Sequence, residues 1–165
     1  MEWIVAAGTG HRPDKLGGYS DSVFYALVGL ARDGITELRD TYGVNGIVSG
    51  MALGWDQALA TAAKTLGVPF VAAIPFKGQE RAWPQESQDR YNHLLGKAKR
   101  VITVCEGGYA GWKMQRRNEA MVDEAAIILA LWNGSSGGTA NCLSYATDKG
   151  LLVINLWDKW TRLGK

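Results

Sequence analysis

Short apolar runs rich in β-branched residues recur along the whole chain, and each is closed by a turn signal and followed by a stretch of helical periodicity. Strands are expected at 3–7, 46–49, 70–74, 100–105, 126–132 and 151–156. Helices are expected at 21–42, 55–66, 85–98, 113–124 and 139–149. A regular strand–helix alternation buries both faces of a sheet only when crossover helices cover them, so it calls for an α/β fold with a mainly parallel central sheet in three layers. The run at 126–132 is the most apolar and is expected at the sheet centre. Gly34 is expected to interrupt the first helix.

The chain has 165 residues, the usual size of one domain, and no linker or internal repeat divides it, so a single domain over 1–165 is expected. Apolar residues make up 47% and charged residues 21%, which excludes a disordered chain. A formal charge of +2 does not by itself call for a polyanionic partner, and it leaves room for a local phosphate site. No basic stripe with interleaved aromatics is present, so nucleic acid is not expected as a partner. Cys105 and Cys142 fit no metal-ligand spacing and read as reduced thiols of a cytoplasmic protein, with no metal or cofactor implied. The apolar runs fall far short of the ~20 residues of a spanning helix, and Met1-Glu2-Trp3 opens no signal sequence.

Glycine-rich turns follow the first, second and fifth strands, and in a parallel sheet these turns emerge at one edge, where open α/β sheets bind ligands. Asn133, Gly134, Ser136, Gly137, Gly138 and Thr139 join a buried strand to a helix start, where backbone N–H groups can approach an anion closely. The alternative is a turn that merely caps its helix. No lysine follows these glycines, so this is not a Walker P-loop, and no GxGxxG with a downstream acid marks an NAD site.

Gly8, Thr9, Gly10, His11 and Arg12 offer backbone donors, a hydroxyl and a guanidinium that can fork two phosphate oxygens. Arg12 otherwise reads as a surface charge and His11 as a loop histidine bonded to backbone. In the second turn, Gly50, Met51, Ala52, Trp55 and Asp56 precede or open a helix. Asp56 there either complements the helix dipole or accepts from ribose hydroxyls. Lys77, Glu80 and Trp83 occupy the loop after the third strand, and one of Arg116 and Arg117 is placed to reach the cleft. Trp55 or Trp83 is expected near a base.

Four blocks carry a family resemblance. They are Gly8-Thr9-Gly10-His11-Arg12-Pro13, Ser49-Gly50-Met51-Ala52-Leu53-Gly54-Trp55-Asp56-Gln57, Arg117-Asn118 with Met121-Val122-Asp123, and Gly137-Gly138-Thr139. In order and over nearly the whole chain they resemble the YpsA/YoqJ-like branch of the SLOG superfamily, to which Smf/DprA and Lonely Guy proteins also belong. The resemblance implies a Rossmann-like fold, a homo-oligomer and a nucleotide-derived ligand. In effectors of the Thoeris antiviral system a SLOG domain senses a cyclic ADP-ribose isomer, and viral proteins that sequester such signals exist.

Lonely Guy enzymes cleave an N-glycosidic bond with an arginine and the glutamate of a Pro-Gly-Gly-x-Gly-Thr-x-x-Glu motif. Here Gly138-Thr139 and Arg117 match, whereas Cys142 stands at the glutamate position. The resemblance therefore implies a binding protein, a sensor or a sponge, for an ADP-ribose-like messenger. The competing reading is a nucleotide or nucleotide-sugar hydrolase in which Asp56 or Glu80, with Arg117, supplies the catalysis.

Overall fold

Residues 2–163 are described by a computed structural model of the chain; residues 1, 164 and 165 of the expected domain lie outside them. Six strands form one sheet among the described residues: β1 Val5–Gly10, β2 Gly46–Ser49, β3 Phe70–Ile74, β4 Arg100–Thr103, β5 Ile127–Leu131 and β6 Leu152–Asn155. Their order is β4-β3-β2-β1-β5-β6, and every pairing is parallel.

The helices are α1 Asp21–Tyr42, α2 Trp55–Leu66, α3 Gln85–Lys97, α4 Gly111–Glu124, α5 Gly138–Asp148 and α6 Trp157–Thr161. Alternation along each strand divides the core in two. Ala6, Ile47, Ala72 and Leu129 face a cluster built with α1, α2, α3 and α6. Val5, Ala7, Val48, Ile128 and Ala130 face Met121 and Val122 of α4 and Cys142, Leu143 and Ala146 of α5. The result is a three-layer α/β fold. Chain direction across the sheet reverses between β1 and β5: β1 leads to β2 through α1 on one face, and β5 leads to β6 through α5 on the other. A crevice opens at such a switch point.

Local chemistry sets most boundaries. Ser20 accepts the Val23 N–H through Oγ at 3.2 Å and starts α1, while Gly43 at φ 72° ends it in the left-handed region. Two expectations are corrected. Gly34 leaves α1 unbroken, because it faces the side chains of Leu129 and Leu156 and its small size lets the helix approach β5. The first strand runs through Gly10 rather than stopping at residue 7, because Gly8, Thr9 and Gly10 pair with Leu129, Ala130 and Leu131. The short α6, whose Trp160 is buried in the core, was not anticipated by periodicity. No helix among the described residues is long and apolar enough to cross a membrane.

Candidate functional site

At the carboxyl ends of β1 and β5 lies a cleft of about 350 Å³, lined by Thr9, Gly10, His11 and Arg12, by Ala52 and Asp56, by Arg117, and by Gly138 and Thr139. It also takes in Asp14, Lys15 and Met114, which were not singled out from the sequence, and Asn118, which entered only through the family resemblance and not as a site residue. Met114 lies three positions before Arg117 and four before Asn118 on α4, so helical spacing carried the signal for both.

The three turns are tied to one another. The His11 ring stands 3.0 Å from the Asn133 N–H, which it accepts through Nε2, and the Lys15 ammonium donates to Ser135 Oγ at 3.1 Å. Trp55 N–H donates to the His11 carbonyl at 3.2 Å, joining the first turn to the second. Burial pushes the His11 pKa below its ordinary value.

Arg117 is the most constrained charge in the cleft. Of the two adjacent arginines, Arg116 is exposed and Arg117 is 5% exposed. The Arg117 guanidinium donates through Nη1 to the Gly50 carbonyl at 2.6 Å and through Nε to Asn118 Oδ1 at 2.9 Å. A side chain at Gly50 would sit 2.5 Å from Nη1, so glycine is required for this approach. Gly50 O also accepts from Gln79 Nε2 at 3.2 Å, which in turn donates to the Tyr91 hydroxyl. Burial depresses the Arg117 pKa, partly offset by the Asp56 charge.

Asp56, in the first turn of α2, accepts the Ala52 N–H at 3.3 Å through one carboxylate oxygen. Burial raises its pKa, and Arg117 only partly opposes this. The two opposite charges share the cleft, yet no ion pair within 4.0 Å joins them among the described residues. Beneath them Cys142 is buried, its thiol pushed up to about 11 by burial, so it stays protonated at neutral pH.

The N-terminus of α5 differs from that of α1. Gly137 at the cap position makes no side-chain capping hydrogen bond, so the first-turn N–H groups have no such partner, and a Cβ built on Gly138 meets no atom within 4 Å. The alternative weighed from the sequence, a turn that caps its helix through a side chain, is therefore not what Gly137 forms.

Several expected ligand contacts lie elsewhere. Trp55 is fully buried, with its indole N–H on the Leu129 carbonyl at 3.3 Å, so it belongs to the core and cannot stack on a base. Met51 is buried too, at φ 63°, its N–H held by Ser49 Oγ at 3.1 Å. Gly8 packs on Leu59. Lys77 and Glu80 line a different hollow beside Tyr91, and Trp83 sets its ring edge-on to Tyr91. The reason is strand order: β3 stands two positions from β1, on the side away from β5 and the switch point. Gly134 and Ser136 are exposed on the turn after β5.

The sequence profile of the YspA SLOG family matches residues 6–150. The uncharacterized SPbeta prophage-derived protein YoqJ of Bacillus subtilis is 35% identical over 126 residues, covering 67% of this chain and 73% of that protein. Among solved structures, the DNA processing protein A (DprA) of Streptococcus pneumoniae superposes with a TM-score of 0.67 at 18% identity, over 93% of this chain and 50% of that one. The DprA of Helicobacter pylori, described for its single-stranded DNA binding mode, gives 0.65 at 17% identity, over 92% of this chain and 64% of that one. The chain thus spans half the length of the pneumococcal protein, and these structural likenesses concern the fold.

Proposed function

The chain belongs to the YspA SLOG family, and from that premise we propose that it binds a phosphate-bearing, nucleotide-derived small molecule in the β1/β5 cleft and holds it without turnover. The carrying observation is Arg117. A buried guanidinium with no carboxylate in ion-pair range among the described residues faces the same cleft as the start of α5, which lacks a side-chain cap. Desolvating such a cation is costly without a counter-charge, and a phosphate supplies one while also accepting from the helix N–H groups. Arg12 and Lys15 add two further cations.

Asp56 would repel the phosphate, so its place in the cleft selects a ligand that brings hydroxyl or amine donors as well. A ribose carries such hydroxyls, which gives a ligand of the ADP-ribose or cyclic ADP-ribose type. Transformation of that ligand needs a positioned base or nucleophile. Cys142, at the position of the Lonely Guy glutamate, is a neutral buried thiol, and Glu80 faces another hollow. The biological reading is a sensor or a sequestering sponge. The prophage origin of YoqJ supports a phage-borne role against Thoeris-type signalling.

One observation favours a second reading. The raised pKa of Asp56 is a property shared with general acids, as an N-glycosidic hydrolase would require. Asp56→Asn separates the two: a binder releases no product in either form, whatever the change in affinity, and a hydrolase forms product that the substitution abolishes. A single-stranded DNA reading draws on the Helicobacter protein. Against it, Arg12, Lys15 and Arg117 are interspersed with Asp14 and Asp56 rather than forming a basic track.

A further inference from the structure

A second hollow, of about 120 Å³, lies between the N-terminal turns of α1 and α3. The loop segments around residues 12–14 and 52–54 separate it from the cleft: Pro13 and Gly54 line the hollow, and Arg12, Asp14 and Ala52 line the cleft. Gly54, at φ 88°, closes this partition, since a Cβ there would lie 2.6 Å from the His11 carbonyl oxygen.

The hollow combines an apolar floor with unspent polar groups. Val23, Leu27 and Leu53 supply the floor. Ser87 is 7% exposed, and its hydroxyl, which has no protein hydrogen-bond partner among the described residues, is reached from the hollow. A helical serine ordinarily turns its hydroxyl back to the carbonyl four residues earlier. Here that carbonyl, on Trp83, accepts from Gln88 Nε2 at 2.9 Å instead. The hydroxyl therefore keeps its hydrogen-bonding capacity for whatever occupies the hollow. Arg90 lies with its guanidinium carbon 3.9 Å from the centre of the Phe24 ring, and Glu86 shares the lining. At the rim Tyr19 is 62% exposed.

We infer that this hollow is a second binding site, for a nucleobase, independent of the phosphate cleft. Its volume is well below the roughly 300 to 1,000 Å³ of sites that enclose drug-sized ligands, so the guest is a single ring system. Adjacent donor and acceptor groups, Arg90 and Glu86 with the Ser87 hydroxyl between kinds, match the mixed edge of a base. They do not match a bare anion, which Glu86 opposes, or a hydrocarbon, which would leave Ser87 unpaired. Tyr19 supplies an aromatic face for stacking.

The probe is adenosine, which lacks phosphate, titrated into the full chain by calorimetry and by ligand-observed NMR. Saturable binding at one equivalent is expected. Tyr19→Ala and Ser87→Ala should each weaken it at least about fivefold, as loss of a stacking or hydrogen-bonding partner does. Tyr19 is exposed, so its variant remains a fair test even where Ser87→Ala perturbs folding. Gly138→Asp, which blocks the cleft, should leave adenosine binding unchanged. Absence of saturable binding overturns the inference, as does binding that Gly138→Asp abolishes and Tyr19→Ala spares. Neither result bears on phosphate binding in the cleft, which is measured with phosphorylated ligands.

Discussion

Replacing Gly138 by aspartate tests the anion site without disturbing the protein that surrounds it. The added Cβ meets no atom within 4 Å, and its position opens α5. Folding should therefore be unharmed. A carboxylate in a first helical turn contributes about 0.3 to 1 kcal/mol through the helix dipole, so the melting temperature should hold or rise by a few degrees. Binding moves the other way. Two like charges about 4 Å apart repel by roughly 4 kcal/mol at an effective dielectric near 20, and screening at this exposed turn lowers that figure. Even about 2 kcal/mol weakens binding roughly thirtyfold. Calorimetric titration of AMP and ADP-ribose into both proteins, beside their thermal melts, measures the two effects separately. A variant that melts like the parent and binds these ligands as tightly would refute the assignment of phosphate to this turn.

Gly54→Ala should cost about 3 kcal/mol or more in urea unfolding, because φ is 88° and the new Cβ meets the His11 carbonyl oxygen at 2.6 Å and the Arg12 Cα at 3.0 Å; a loss under about 1 kcal/mol would mean the partition yields. His11 has a folded pKa below the 6.5 of its unfolded form. Its contribution to stability is therefore complete above pH 6.5 and is lost as pH falls from there through the lowered value. His11→Gln should flatten this part of the urea midpoint profile, and an unchanged profile would assign the dependence to other groups. Trp112, 62% exposed in the first turn of α4, supplies apolar surface for the homo-oligomer that the family resemblance implies. Light scattering at high micromolar concentration should give a dimer mass, and a strictly monomeric mass would contradict it.

The alternation of apolar runs and helical periodicity was enough to place β2 and β3 at their observed bounds, because both strands are short, apolar and bounded by glycine or proline. The end of β1 was illegible for a tertiary reason: Gly8 and Gly10 read as turn residues, yet they are extended and small so that Leu59 and Trp55 of α2 can lie against them. Trp55 was misplaced by the same fact, since the residue that fills the space above Gly10 cannot also face a ligand. Arg117 was legible down to a choice between two neighbours, which burial resolved. That Lys77, Glu80 and Trp83 sit apart from the cleft was not legible because strand order is not written locally: nothing in the loop itself says that β3 stands two positions from β1.

The function proposed for the β1/β5 cleft is to bind a nucleotide-derived phosphate ligand and leave it intact. The most direct measurement incubates the protein with ADP-ribose and with cyclic ADP-ribose isomers, follows the heat of binding, then denatures the complex and separates the released molecules by chromatography. Near-stoichiometric recovery of unchanged ligand from a complex that Gly138→Asp fails to form is the predicted result. Release of free base or ribose phosphate beyond one equivalent per chain, or no binding heat with any of these ligands, would contradict it.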